Sequence, residues 1–152
     1  MKQVKGIESL VRRLVARHQT SDPFFICKAL GISVLYVDLP KVTNGVFYRL
    51  GTSRVVLIRQ ELSPHEARVA CAHELGHALL HRDLNYQFMA QNTRLVTGRY
   101  EREADYFCVC LLLGDKASEL DGGTTVEQLA GLTGIPQPLI DLWNSLRKNN
   151  TQ

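Results

Sequence analysis

Ala72-His73-Glu74-Leu75-Gly76-His77-Ala78-Leu79-Leu80-His81 is the stretch from which the rest of the chain is read. It contains the pattern His-Glu-x-x-His. On an α-helix, side chains four positions apart leave the same face, one turn above the other. His73 and His77 can therefore offer two imidazole nitrogens to one metal ion. Glu74 projects from the neighbouring part of the turn, where it can hold a water bound to that ion. A catalytic zinc held by two histidines needs a third protein ligand and an open position for water. Zinc lowers that water's pKa to about 7, and a glutamate can take its proton as it attacks a carbonyl. The expectation is one Zn2+ per chain, with His73 and His77 as ligands and Glu74 as the catalytic base. The plain alternative is a helix carrying two surface histidines and no metal.

Working outward, Ser63-Pro64-His65-Glu66 supplies a start for this helix. Ser63 serves as N-cap, Pro64 takes the first helical position and Glu66 closes a capping box. The helix then runs to about His81, which keeps the His-Glu-x-x-His pattern away from a frayed end. Before it stand three strand candidates, 33–37, 46–50 and 54–59, the last two joined as a hairpin by Gly51-Thr52-Ser53. Arg54-Val55-Val56-Leu57-Ile58-Arg59 lies just ahead of the metal helix. It is read as an open sheet edge on which an extended substrate can pair, with Arg54 and Arg59 discouraging pairing between copies. Two helices precede the strands, over 4–18 and 23–30, the second opened by Asp22 and Pro23 and closed by Gly31.

Downstream, 82–98 shows no periodic pattern and reads as a connection carrying Tyr86, Phe88 and Leu95. Helical spacing returns over 99–113, with Ala104, Phe107, Cys108 and Leu111 as its apolar stripe and Gly114 as its stop. This helix offers Glu101, Glu103 and Asp105 as candidates for the third ligand. At about 100° per residue, Glu101 and Asp105 share a face while Glu103 turns away from Asp105, and Glu101 lies nearer the stripe. The expected assignment is Glu101 on the metal and Asp105 on the other ring N–H of a ligating histidine, fixing its tautomer. Glu103 stays open as the alternative ligand, and an ordinary acidic helix start as the alternative to both. Asp83 is a poor ligand candidate, because Leu80 stands where a glycine would let the chain turn back. His81 reads as an exposed helix-end residue that can also line the site, and His18 and His65 as surface residues. Tyr86, Tyr100 and Tyr106 are alternative oxyanion donors, with packing favoured for each.

The chain has 152 residues, 45% of them apolar, and a net charge of +3. That length suits one domain, or one domain with a small appendage, and the charge argues for no particular partner. No apolar run approaches the ~20 residues of a membrane span, and the first residues form no signal-peptide core. A cytoplasmic location follows as an expectation, with Cys27, Cys71, Cys108 and Cys110 as reduced packing residues.

Several stretches together resemble the ImmA/IrrE-type metallopeptidases of bacteria, their phages and conjugative elements. They are Thr20-Ser21-Asp22-Pro23-Phe24, Leu30-Gly31-Ile32-Ser33-Val34, Ala72 to His81, and Glu101-Arg102-Glu103-Ala104-Asp105-Tyr106-Phe107 leading to Leu111-Leu112. The family's usual Leu-Leu-Met-Pro is here Leu112-Leu113-Gly114-Asp115. The resemblance implies a gluzincin-like zinc domain with a small sheet beside the metal helix. It also implies cytoplasmic cleavage of a helix-turn-helix repressor, which would relieve repression.

The expected fold is α+β: a small, mostly antiparallel three-stranded sheet beside the metal helix and the second ligand helix. A metallopeptidase unit over 1–121 would be followed by helix-turn-helix-like helices over 122–148. Thr124-Thr125-Val126-Glu127 reads as a capping box for the first of these, and 138–147 as the last helix. The would-be recognition helix starts with Pro136, Gln137, Pro138 and Asp141, with basic residues only at Arg147 and Lys148. DNA binding is therefore not favoured, and packing or protein docking is. Two function classes follow: a zinc endopeptidase acting on a repressor protein, or a non-catalytic regulator that binds DNA or a partner through these helices.

Overall fold

The computed structural model describes residues 4–82 and 94–151. Helix α1 (Val4–His18) buries Val4, Ile7, Val11 and Leu14, the apolar face its spacing predicts. Asp22 then caps α2 (Pro23–Ala29) by accepting the Phe24 N–H at 3.0 Å. Gly31, at φ +72°, turns the chain into the sheet, a backbone conformation that costs a glycine little.

The sheet comprises β1 (Ile32–Val37), β2 (Gly45–Leu50) and β3 (Ser53–Arg59), in the spatial order β1-β3-β2. The β2–β3 hairpin is antiparallel, whereas β1 and β3 are parallel, with Ile32 opposite Arg54 and Val37 opposite Arg59. The expected small three-stranded sheet is thus mixed, with one antiparallel and one parallel pairing. Strand β3 is central, so the reading of Arg54, Val55, Val56, Leu57, Ile58 and Arg59 as an open edge is wrong. Closeness in sequence to the metal helix does not fix a strand's place in a sheet. The physical clue was the fully buried pair Val56 and Ile58, which suits a strand flanked on both sides. The two arginines do not guard an edge either. Arg54 donates to the Leu30 carbonyl, and Arg59 reaches Asn44 Oδ1 at 3.0 Å, tying down the chain on either side of the sheet.

Helix α3 (Pro64–Leu80) starts with the expected reciprocal cap. Ser63 Oγ accepts the Glu66 N–H at 3.2 Å, and the Glu66 carboxylate accepts the Ser63 N–H at 3.0 Å. Helix α4 (Arg94–Leu113) begins before Arg99, the expected start. Val96, Thr97 and Gly98 are weak helix formers, so local propensity gave no sign of that first turn. A 3₁₀ turn (Gly114–Lys116) and the short α5 (Ala117–Asp121) follow, neither of them expected. In α6 (Val126–Thr133) the cap is shifted by one residue: Thr125 pairs reciprocally with Gln128, not Thr124 with Glu127. Helix α7 (Gln137–Asn149) is the last helix described. Leu129, Ile135, Ile140 and Trp143 from α6, α7 and their connection join Leu75 and Phe107 in the same buried cluster.

The contact that positions the site is α3 against α4. A Cβ on Gly76 would stand 3.0 Å from Phe107 Cδ1 and 3.2 Å from Ala104 Cα. Hydrogen at this position lets the two helices approach closely, which carries Glu101 and Asp105 to His73 and His77. A methyl there would overpack the seam or push the helices apart.

Candidate metal centre

His73 and His77 lie one turn apart on α3, and Glu101 faces them from α4. His73 Nε2 and His77 Nε2 are 3.1 Å apart. Glu101 sets one carboxylate oxygen 3.1 Å from each. The ligand atoms of all three residues lie within 4.8 Å of one another. Tetrahedral zinc with bonds of about 2.05 Å has donor–donor edges of about 3.3 Å. Two imidazoles and one carboxylate at this separation therefore fit a zinc-type ion, and a fourth position can face the cleft.

The electrostatics favour a cation here. For His73, burial works against the charged ring, but the Asp105 and Glu101 carboxylates outweigh it and push its pKa up to about 10. For Glu101, burial is opposed and overcome by hydrogen bonds and charge from His73 and His77, which hold its carboxyl well below the usual range. Asp105 Oδ1 sits 2.8 Å from His73 Nδ1, on the ring edge away from Glu101. The shared face of Glu101 and Asp105 is thus the one turned to the histidines. The burial of the two glutamates, however, is the reverse of that expected from their distance to the apolar stripe. Glu101 is half exposed, and Glu103 is only 1% exposed. From Glu103 onward α4 is buried over most of its circumference, including Tyr106 and Val109, so the narrow stripe centred on Ala104 misjudged its inner face.

Glu74 is 7% exposed and lies against the start of β2. Burial raises its pKa above the ordinary carboxylate value; the neighbouring histidines and a hydrogen bond from the Phe47 backbone pull the other way. A raised carboxylate pKa suits a base that must take and then return a proton near neutrality. A Cβ on Gly45 would stand 3.0 Å from Glu74 Cγ, so glycine at this position leaves room for the glutamate beside the strand. As a dipeptide, Asn44-Gly45 signals only a turn. The part Gly45 and Phe47 play beside Glu74 had no local signature.

These groups line a cleft of about 620 Å³. One wall is Val42 to Phe47, another is α4 at Glu101 and Asp105, and a third is Pro136, Pro138 and Leu139 from the α6–α7 connection and the first turn of α7. That third wall comes from residues distant in sequence and was not foreseen. His81 differs most from expectation. It is buried, not exposed, with Nδ1 2.9 Å from His77 Nδ1 and Nε2 2.9 Å from Glu103 Oε2.

Other expected residues lie elsewhere. Tyr106 OH donates to Glu8 at 2.7 Å, on the side of α4 that meets α1. Tyr100 packs its ring against His81. His65 is exposed at the start of α3, and His18 is half-buried at the end of α1. Asp83, Tyr86 and Phe88 fall outside the described residues. The four cysteines are free thiols; Cys27, Cys71 and Cys108 are buried and Cys110 is half-buried.

Comparison with known proteins gives the same reading. Residues 27–124 match the IrrE N-terminal-like domain, Peptidase_M78. The chain is 32% identical over 138 residues to a protein of Bacillus phage phi105 named uncharacterized immunity region protein 2, covering 90% of this chain and 87% of that one. It is 28% identical over 141 residues to the metallopeptidase ImmA of Bacillus subtilis (strain 168), covering 90% of this chain and 83% of the relative. With its His-His-Glu cluster and the buried glutamate beside it, this chain belongs to the ImmA/IrrE family of metallopeptidases.

Proposed function

We propose that the chain is a zinc-dependent endopeptidase that cuts a helix-turn-helix transcriptional repressor in the cytoplasm and so relieves repression. The observation that carries this reading is the close His73–His77–Glu101 donor set, beside the buried Glu74, in one cleft. When bound, zinc supplies a Lewis acid that polarises the scissile carbonyl and brings a water's pKa to about 7.

The chain's own residues do the rest. Glu74 takes the attacking water's proton and returns it to the departing amine. Asp105 orients the His73 ring through Nδ1. Among the described residues β2 is paired on one side only, by β3, and its residues 45–47 line the cleft. An extended substrate segment is therefore assigned to the outer edge of β2, not to β3. The apolar walls at Val46, Phe47 and Leu139 favour apolar side chains next to the bond that is cut.

The repressor as substrate rests on the sequence resemblance, and the relative named metallopeptidase ImmA supports the peptidase part of the reading. Burial of Ile140 and Trp143 from α7 in the core supports a packing role for the C-terminal helices over DNA reading. No helix among the described residues is long and apolar enough to cross a membrane.

The test is direct. Zinc-loaded protein, mixed with purified helix-turn-helix repressors from the same genome, is expected to cut at least one of them at a defined bond. A chelator should stop the reaction, and added zinc should restore it. A cut that survives complete metal removal, or no cut in any repressor, would contradict the proposal.

A further inference from the structure

The two candidate ligand histidines are supported differently. His73 has a carboxylate directly on its far nitrogen, Asp105 at 2.8 Å. His77 instead has another imidazole there, His81, at 2.9 Å between the two Nδ1 atoms. Behind His81, its Nε2 stands 2.9 Å from Oε2 of Glu103. Arg99 Nε lies 3.5 Å from the other Glu103 oxygen, and the Tyr100 ring packs edge-on against His81 with centroids 4.6 Å apart. A carboxylate as buried as Glu103 is costly unless it accepts hydrogen bonds.

Proton bookkeeping makes this a directional chain. A contact between two Nδ1 atoms at this distance holds a single proton. A neutral imidazole carries its proton on one nitrogen and a lone pair on the other. For His77 to present a lone pair at Nε2, on the side of His73 and Glu101, its proton must sit on Nδ1. It is then donated to His81 Nδ1, which must be bare. The proton of His81 must in turn sit on Nε2, where Glu103 accepts it. The opposite arrangement, with His81 donating from Nδ1, puts the His77 proton on Nε2 and blocks the lone pair there.

We infer that His81 and Glu103 form a positioning relay that fixes His77 in its metal-binding tautomer, the indirect counterpart of Asp105 behind His73. Neither residue belongs to the His73–His77–Glu101 donor set, and both act on it through His77. This inference rests on the proposed function only in that the site binds metal, and its test does not read cleavage.

The test measures zinc affinity by chelator competition on wild type, His81→Phe, His81→Asn, Glu103→Gln and the His81→Phe/Glu103→Gln double variant, each checked for folding by circular dichroism. His81→Phe should bind zinc about 10–100-fold more weakly, the range for lost outer-shell partners. Asparagine sets an acceptor near the former Nδ1, so His81→Asn should recover much of that loss. Glu103→Gln should show a smaller loss, and the double variant should lose no more than His81→Phe alone, because the two residues act in series.

A second readout is the His81 ring itself, followed by nitrogen-15 NMR in the zinc-loaded protein. The expected pattern is a proton on Nε2 and a bare Nδ1. Wild-type affinity in folded His81→Phe, independent losses that multiply in the double variant, or a proton on His81 Nδ1 would each overturn the relay. Wild-type protein that takes up no zinc would remove the relay together with the functional reading. Normal wild-type uptake with unaffected variants would remove the relay alone.

Discussion

Glu74→Gln should leave zinc binding and the fold intact while cutting peptide cleavage by about a thousand-fold or more. Glutamine matches glutamate in size, and its amide oxygen can still accept from the Phe47 backbone N–H that now meets the carboxylate. The side chain is not one of the grouped ligands, so the donor set is untouched. Replacing a buried carboxylate also relieves a desolvation cost, so the variant should be no less stable than wild type. What glutamine lacks is a site that takes a proton from water and hands it to the leaving amine. Metal content and turnover measured on the same preparation separate chemistry from binding. Zinc-loaded Glu74→Gln that cuts at the wild-type rate would mean the base is another group.

The second large effect concerns the ligands. His73→Ala and His77→Ala should each abolish stoichiometric zinc binding, and Glu101→Ala should cost most of the affinity, since each leaves only two of three protein donors. Thermal unfolding reads this without any substrate. At zinc about a hundred times its Kd, a native-state ligand adds about 2.7 kcal/mol. In a domain of this size that raises Tm by roughly 5–10 °C. The rise should appear in wild type and Glu74→Gln and vanish in the three alanine variants. A histidine variant that keeps the full zinc-induced rise would show that the ion sits elsewhere.

The parts of the fold legible in the sequence were those set by local chemistry. Ser63, Pro64 and Glu66 marked the start of α3 because a capping box satisfies orphan N–H groups within a few residues. The pairing of Glu101 with Asp105 was legible for a similar reason, since helical periodicity alone puts them on one face. What failed depended on tertiary neighbours. Arg54–Arg59 had the composition of a strand, but its central place was decided by β1 returning beside it in parallel, a non-local pairing. His81 read as an exposed helix end, and Glu103 as farther from the apolar stripe than Glu101, because each was judged by its own helix. They are buried where α3 packs against α4, and their 2.9 Å contact is one of the interactions each makes there. The third wall of the cleft, at Pro136, Pro138 and Leu139, was beyond reach for the same reason.

The most direct test of the central claim is anomalous diffraction at the zinc edge from crystals of the zinc-loaded protein. One peak per chain is expected, about 2.0–2.2 Å from Nε2 of His73, Nε2 of His77 and a carboxylate oxygen of Glu101, with Glu103 behind His81 and off the ion. A peak away from these three side chains, or one ligated by Glu103 in place of Glu101, would contradict the account.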